Sequence, residues 1–499
     1  MKTSTKFLAL FLALLMAMSI VLTACSKPAD DTTKAPDNAN TPEDTSTQVP
    51  EDTQIKSELP ADLKFPGQSF RIFYRAGLAD MNIVGNSETG DNIALAVYKR
   101  NQIVQEQLGV TFEYIPSISD AWKEVSAEIR TVVSSAEDSY DMVASSGNSL
   151  IQYYLGEYMR DVSDGKYFDW EKPWWYLDGI KELSLDGETY RYLIGDLILA
   201  NFLNAGTIYV NKDLFAKTYG DYSVVPQLVL NGEWTHDKFY EYISGCYYDE
   251  NGSTTVDEGD ILGLIGPISM GTNYFHYSTD AESYSRDAEG KPTITVNNDR
   301  TLGVLDSLVR IYDLPNVVFD GPNDGTSFAT GKSLFYIVNL SYLTGTTLRS
   351  SDVNYGILPV PKYDLSQENY RSFIHNSSSE VCVPKTVPDD RMDLISACME
   401  ALAYQGYITV IPELYDIALK QKYSTTPEDA MMIDIIHDTL TKNLLYEYSA
   451  NIGRIGTMLQ DILQNRAKGA TADFASAYQT KITQAEQLLD AMYEANKNH

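Results

Sequence analysis

From Phe70 to Ala144 the chain reads FRIFYRAGLADMNIVGNSETGDNIALAVYKRNQIVQEQLGVTFEYIPSISDAWKEVSAEIRTVVSSAEDSYDMVA. Phe70 to Tyr74 is a short apolar strand. Ile93, Val97, Val104 and Leu108 recur at helical spacing, and Gly109 is placed to end that helix in a left-handed cap. Val110, Phe112 and Tyr114 then alternate with Thr111 and Glu113, the period of a half-buried strand. Trp122, Val125, Ile129 and Val132 mark a second helix face, and Tyr140 to Ala144 a third strand. This β-α-β-α-β order predicts a mainly parallel sheet with helices on both faces. Ligands of open α/β sheets sit beyond the carboxyl ends of the strands. Ser145, Ser146, Gly147 and Asn148 fall at that edge, although a plain polar turn fits the spacing equally well.

The rest of the chain agrees with a globular protein of more than one folded unit. Its 499 residues are 43% hydrophobic and 21% charged, enough to build large cores. The formal charge of −31 argues against a nucleic-acid binder, which needs a basic face to displace phosphate counterions. Tyrosine is abundant, at 35 residues, in keeping with recognition of sugars or peptides and equally with core packing.

The amino terminus has a separate logic. Lys2 and Lys6 precede an apolar run from Phe7 to Val21, and Leu22-Thr23-Ala24-Cys25 follows. The run is short and abuts small residues, the pattern of a cleaved export signal rather than a spanning helix. Residues 1–24 are expected to be a lipoprotein signal peptide and Cys25 the lipidated residue, anchoring the chain by its acyl groups. Residues 25–63 are rich in proline, threonine and acidic side chains and are read as a disordered tether.

Most other motifs dissolve on inspection. Cys246, Cys382 and Cys398 are an odd set without Cys-x-x-Cys spacing, so buried thiols are expected, with a Cys382–Cys398 bridge as the alternative. Gly325 to Ser333 resembles a phosphate loop but has five residues between its glycines where four are needed. Asp249, Asn251, Gly252 and Glu258 match positions 3, 5, 6 and 12 of a calcium loop, yet Tyr247 then stands at the first ligand position. A surface hairpin with an Asn-Gly turn is the expectation there. The five histidines are scattered, and no nucleophile elbow is present. Thr471 is placed to cap a C-terminal helix bearing Phe474, Tyr478, Ile482, Ala485, Leu489 and Met492, and no second apolar span of membrane length is apparent. Nothing points to catalysis, a cofactor or a metal.

Several further motifs come in a telling order. Ala96-Val97-Tyr98-Lys99-Arg100-Asn101 and Gln107-Leu108-Gly109-Val110 precede Tyr140-Asp141-Met142-Val143. Pro173-Trp174-Trp175, Tyr209-Val210-Asn211-Lys212-Asp213 and Gly232-Glu233-Trp234-Thr235 follow. Phe328-Ala329-Thr330-Gly331-Lys332 and Tyr355-Gly356-Ile357-Leu358-Pro359-Val360-Pro361-Lys362 complete the series. In this order, from Phe65 to the C-terminus, the chain resembles the extracellular solute-binding lipoproteins of carbohydrate-uptake ABC transporters.

The resemblance implies a two-lobe α/β fold of the type II periplasmic-binding-protein kind, with a hinge. Lobe 1 would comprise 64–203 plus 368–422 and lobe 2 204–367 plus 423–499, with crossings near Leu203–Thr207, Tyr363–Arg371 and Lys420–Pro427. It also implies a monomeric, lipid-anchored receptor on the extracellular face of the bacterial cytoplasmic membrane. Such a receptor captures a sugar, expected to be an oligosaccharide, and passes it to the ABC permease subunits. A secreted glycoside-active enzyme, a surface adhesin and a receptor for a peptide are the alternatives. The expected ligand set is Ser146, Asn148, Trp174, Trp175, Asn204, Asn339 and Tyr342: amides and hydroxyls for sugar hydroxyls, aromatic rings for pyranose faces. Trp174 and Trp175 serve equally well, on sequence alone, to pin the following helix. Trp234 is expected to be structural, stapling a helix capped by Thr235.

Overall fold

The computed structural model describes residues 55–497 except Thr89, Glu258, Pro322, Asn323, 421–426 and Ala472. The signal peptide, Cys25 and most of the tether therefore lie outside the described residues. The end of the expected tether does not. Lys56 onward belongs to the folded unit, where Leu59 and Leu63 pack against the core and Glu58 pairs with Lys172 at 3.1 Å. Two leucines in an otherwise polar stretch suffice to dock it.

The first sheet begins with β1 (Ser69–Tyr74), β2 (Thr111–Pro116) and β3 (Met142–Ser146). β1 pairs in parallel with both others, Ser69 opposite Thr111 and Ile72 opposite Met142. The helix Asn92–Leu108 joins β1 to β2. Asp91 caps it by accepting from the amides of Ile93 and Ala94, and Gly109 ends it at φ 67°. The helix Trp122–Ser134 joins β2 to β3, but its buried face is Val125, Ile129 and Val133. Trp122 and Val132 lie off that face, and Trp122 stands 41% exposed.

The second sheet draws on later sequence. β4 (Gly206–Asn211) and β5 (Leu262–Gly266) are followed by a hairpin of β6 (Tyr284–Arg286) and β7 (Pro292–Ile294). β8 (Val317–Phe319), β9 (Ser333–Asn339) and β10 (Tyr355–Pro359) complete it, in the order β10-β4-β9-β5-β8. β5 runs parallel to β8 and β9, whereas β4 is antiparallel to β9 and β10. Every residue of β4, β5, β9 and β10 is buried. Runs this apolar are what a sheet covered on both faces requires.

Three passes of the chain lie side by side where the sheets meet. β11 (Ser372–Phe373) pairs in parallel with β13 (Leu440–Thr441), and Ala205 bridges Ile374. Just beyond β11, β12 (Ser379–Cys382) returns to the first sheet as an antiparallel edge on β3. The order there is β12-β3-β1-β2.

Smaller expectations resolve individually. Cys246, Cys382 and Cys398 are all free and buried, so no bridge forms between the latter two. Thr235 caps the helix His236–Ser244 as expected, and Trp234 is buried, its indole donating to the Pro359 carbonyl at 3.0 Å. The C-terminal helix Phe474–Lys497 is capped by Asp473, which accepts from the Ser476 amide, rather than by Thr471. The run Asp389–Ile417 is long and apolar enough to cross a membrane, contrary to the expectation of no second such span. However, 78% of its most apolar window is buried within the protein, the condition of a core helix.

Candidate ligand site

At the junction the carboxyl end of β3 meets the start of β4 and the end of β9 through a continuous set of hydrogen bonds. The first amide of the helix Gly147–Leu155, that of Gly147, donates to the Ser378 carbonyl at 3.1 Å. The neighbouring Ser377 hydroxyl donates to Asn204 Oδ1 at 3.2 Å, and Asn339 Nδ2 donates to the same oxygen at 3.2 Å. Asn204 Nδ2 donates to the Ala200 carbonyl at 2.9 Å, and the Ser341 hydroxyl to Asn339 Oδ1 at 2.6 Å. His375 flanks the group, its Nδ1 accepting from the Ser377 amide at 3.1 Å, which leaves Nε2 to carry the proton. Burial and then the Lys442 charge push the imidazole down to about 4, so it is neutral at physiological pH. Ser377 is exposed and Asn148, Asn204, Ser341, His375 and Asn376 are half-buried, so solvent reaches amides, hydroxyls and a neutral ring.

Beneath this surface lies a charged core. Lys442 Nζ sits 2.5 Å from Glu380 Oε1 and 3.3 Å from Glu447 Oε2, all three buried. Burial, then the Glu447 charge, push Glu380 up to about 8 against the opposing pull of Lys442. Gly147 lies directly over the triad. A Cβ there would come within 2.3 Å of Glu447 Oε1 and 3.0 Å of Glu380 Oε1, so only glycine fits. A second buried ion pair joins His437 Nε2 to Asp196 Oδ1 at 3.1 Å, with the Tyr176 hydroxyl donating to the same oxygen. Burial lowers the His437 pKa, yet Asp196 outweighs it and carries the imidazole up to about 10.

These shifts give a pH prediction. Glu380 rises from 4.5 to about 8, Glu400 from 4.5 to about 7 and His437 from 6.5 to about 10 on folding. A group whose pKa is raised by folding contributes stability below its unfolded value and loses it as pH passes the folded value. All three therefore weaken the fold on the alkaline side. Asp186 acts oppositely: burial is outweighed by the Thr189 and Glu188 amides, which draw it to about 2, so its contribution is lost in acid. His375, His276 and His236, held neutral by burial and lowered from 6.5 to about 4, 4 and 3, likewise lose their contribution in acid and offset the two glutamates below pH 6.5. Stability is therefore expected to be highest at about pH 6.5 and to fall steadily toward pH 10. Urea unfolding across that range checks it, and Glu380→Gln should flatten the slope between about 4.5 and 8. A rising or flat profile above pH 6.5 contradicts the assignment.

The structure sorts the expected ligand residues. Asn204 and Asn339 are brought into direct contact, and Asn148 lies in the first turn of the helix that starts at this junction. Ser146 is buried at the end of β3, its hydroxyl 3.1 Å from that of Ser149. Trp174 and Trp175 are corrected to core residues: both are buried, and their indoles donate to Glu400 at 2.8 and 2.7 Å. Tyr342 is half-buried among Tyr209, Tyr336 and Phe328, its hydroxyl donating to the Gly325 carbonyl. Lys332, the lysine of the phosphate-loop lookalike, is engaged by Glu250 and the Gly259 carbonyl.

Other residues at this edge were not singled out from sequence. Ile118, 93% exposed, and Trp122 follow the carboxyl end of β2. The Trp122 carbonyl accepts from Ser149, which places the residue beside the helix after β3. Its periodicity with Val125 and Ile129 disguised it as core. Ser377 and His375 carried only the signal of a polar turn before β12.

Together, two helix-flanked sheets joined at one junction define the class: a mixed α/β fold of the type II solute-binding kind. Among solved structures, the chain is similar to a cyclo/maltodextrin-binding protein in complex with maltotetraose. That likeness has 12% identity and a TM-score of 0.52, and covers 87% of this chain and 98% of the other. It is also similar to UgpB from Mycobacterium tuberculosis in complex with glycerophosphocholine, at 11% identity and a TM-score of 0.50, covering 85% and 98% of the two chains. At such identities the likeness establishes the fold. No protein-family model matches the chain, nor does any curated protein sequence.

Proposed function

We propose that this chain is the solute-capturing receptor of an ABC importer and that it binds a sugar, an oligosaccharide, without turning it over. On this reading residues 64–203 plus 368–422 form one lobe and 204–367 plus 423–499 the other, and they close on the ligand at the junction by a hinge motion. Cys25 carries the lipid anchor. The carrying observation is the Asn204–Asn339–Ser377 group: paired amides and a hydroxyl where the two sheets meet. Amides offer both a donor and an acceptor, as sugar hydroxyls require. Asn148 and His375, both half-buried, extend this surface.

A thermal-shift screen over oligosaccharides tests the reading, with product analysis of each hit and glycerophosphocholine as a charged comparator. A binder at 100 times its dissociation constant stabilises by about 2.7 kcal/mol, a readily measured shift. Release of monosaccharide from a hit would replace the receptor reading with an enzyme. With the sugar in hand, Asn204→Ala is expected to weaken binding by about 1–3 kcal/mol, because a hydroxyl is left unpaired in a closed site. Titration calorimetry on the variant measures it, and undiminished affinity would move the site away from the junction.

A further inference from the structure

The helix Gly147–Leu155 starts at the junction and ends beside a different kind of space. Its last residue, Leu155, lines a cavity of about 720 Å³ with Met159 and Leu185, and with Leu488, Met492 and Ala495 of the C-terminal helix. That volume lies within the usual size of a small-molecule site. The C-terminal helix carries two apolar stripes. Phe474, Ile482, Ala485, Leu489 and Tyr493 are buried. Leu488, Met492 and Ala495 recur at helical spacing on a neighbouring stripe and line the cavity instead.

This second stripe is not closed off. Leu488 and Met492 are half-buried, while Ala495 and Ala491, which also lines the cavity, are exposed. The two alanines, one helical turn apart, leave open the room that larger side chains would take. A concave apolar surface left open to water costs free energy that an apolar ligand recovers on binding.

The charged groups around the cavity are unevenly matched. Arg191 donates to Thr189 Oγ1 at 2.8 Å and Asn496 Oδ1 at 2.7 Å, both neutral acceptors. Neither Arg191 nor the exposed Lys385 forms an ion pair among the described residues, and both line the cavity. The third lining cation, Arg160, is already paired with Asp389. Among the lining carboxylates, Asp161 is satisfied by the amides of Ser163 and Tyr190 and by the Ser163 hydroxyl, and Glu157 is also engaged. Of the lining groups, exposed Asp164 alone remains to offset two cations. The result is a local excess of positive charge in a chain of net charge −31.

The lining offers no free aromatic face for a sugar. Tyr154, its one aromatic side chain, is stacked on Tyr192 at 5.4 Å and has Arg191 5.9 Å over its ring. The apolar side chains are otherwise leucine, methionine and alanine, which conform to a flexible hydrocarbon chain. We propose that this cavity is a second binding site, for an amphipathic carboxylate of the medium-chain fatty-acid class. The chain lies against Met159, Leu185 and Met492, and the carboxylate is held by Arg191 and Lys385. Both cations bind carboxylates through charge-assisted hydrogen bonds, which are stronger than neutral ones. The site does not depend on sugar capture at the junction.

The full folded protein, delipidated, is titrated calorimetrically with octanoate, decanoate and dodecanoate below their micelle concentrations. A single saturable site is expected, tightening about three- to fourfold per added methylene. Decanol, without the charge, should bind about tenfold more weakly, and decyltrimethylammonium not at all. Ala491→Trp fills the cavity from an exposed position and should abolish decanoate binding while keeping the parent's Tm. If that variant fails to fold, Ala495→Phe takes its place. Lys385→Gln should weaken decanoate binding and leave decanol unchanged. Asn204→Ala should bind decanoate as the parent does, so that failure of this site and failure of the sugar reading are seen separately. No saturable decanoate binding, equal binding of the decyl cation, undiminished binding in the filled variant, or loss of binding in Asn204→Ala would overturn the proposal.

Discussion

Lys442→Met is expected to destabilise the protein by about 3–5 kcal/mol, the usual consequence of removing one partner from a buried ion pair. Lys442 is the only cation in contact with Glu380 and Glu447 among the described residues, and none of the three reaches water. Without the ammonium, the buried Glu380–Glu447 pair is left with no cation in contact to balance its charge. The charge imbalance, rather than the lost side-chain volume, drives the effect. A second variant isolates that cause: Lys442→Met combined with Glu380→Gln and Glu447→Gln should recover at least half of the loss, because the uncompensated charges are gone. Urea unfolding at pH 7 with a common slope is the measurement. A single-variant loss below about 1 kcal/mol would contradict a desolvated triad.

Trp174→Ala is expected to cost about 3–5 kcal/mol as a large-to-small change in a packed core, leaving affinity for the identified solute unchanged. The indole is wholly buried against Tyr404 and Tyr407 and donates to Glu400. Its removal opens a cavity and strips a buried carboxyl of one of its two indole donors. Trp174→Phe keeps most of the volume and should cost clearly less. Binding calorimetry separates this role from sugar stacking: a tenfold or greater loss of affinity in a folded Trp174→Phe protein would return the residue to the ligand site.

Where the sequence carried its own instruction, the reading and the structure coincide. β1, β2 and β3 and the two helices between them follow from apolar spacing, an Asx cap and one glycine at positive φ, all local features. The departures are also physical. Trp122 kept the period of the buried face but sits at the first turn, where the helix emerges beyond the sheet. Thr471 and Asp473 are both capping residue types, and which one acts depends on where packing starts the helix.

What the sequence by itself determined, then, is which residues prefer strand, helix or turn and which faces are apolar. Tertiary structure alone decided who meets whom. Glu400 receives Trp174 and Trp175 across 226 and 225 positions of chain, and Asn204 receives Asn339 across 135 and Ser377 across 173. A buried carboxylate or amide gains stability only from the particular donor that packing brings to it. Periodicity records that a side chain is buried, but it holds no record of the partner, which is why the tryptophans could be read as a sugar platform and Ser377 and Lys442 drew no notice at all.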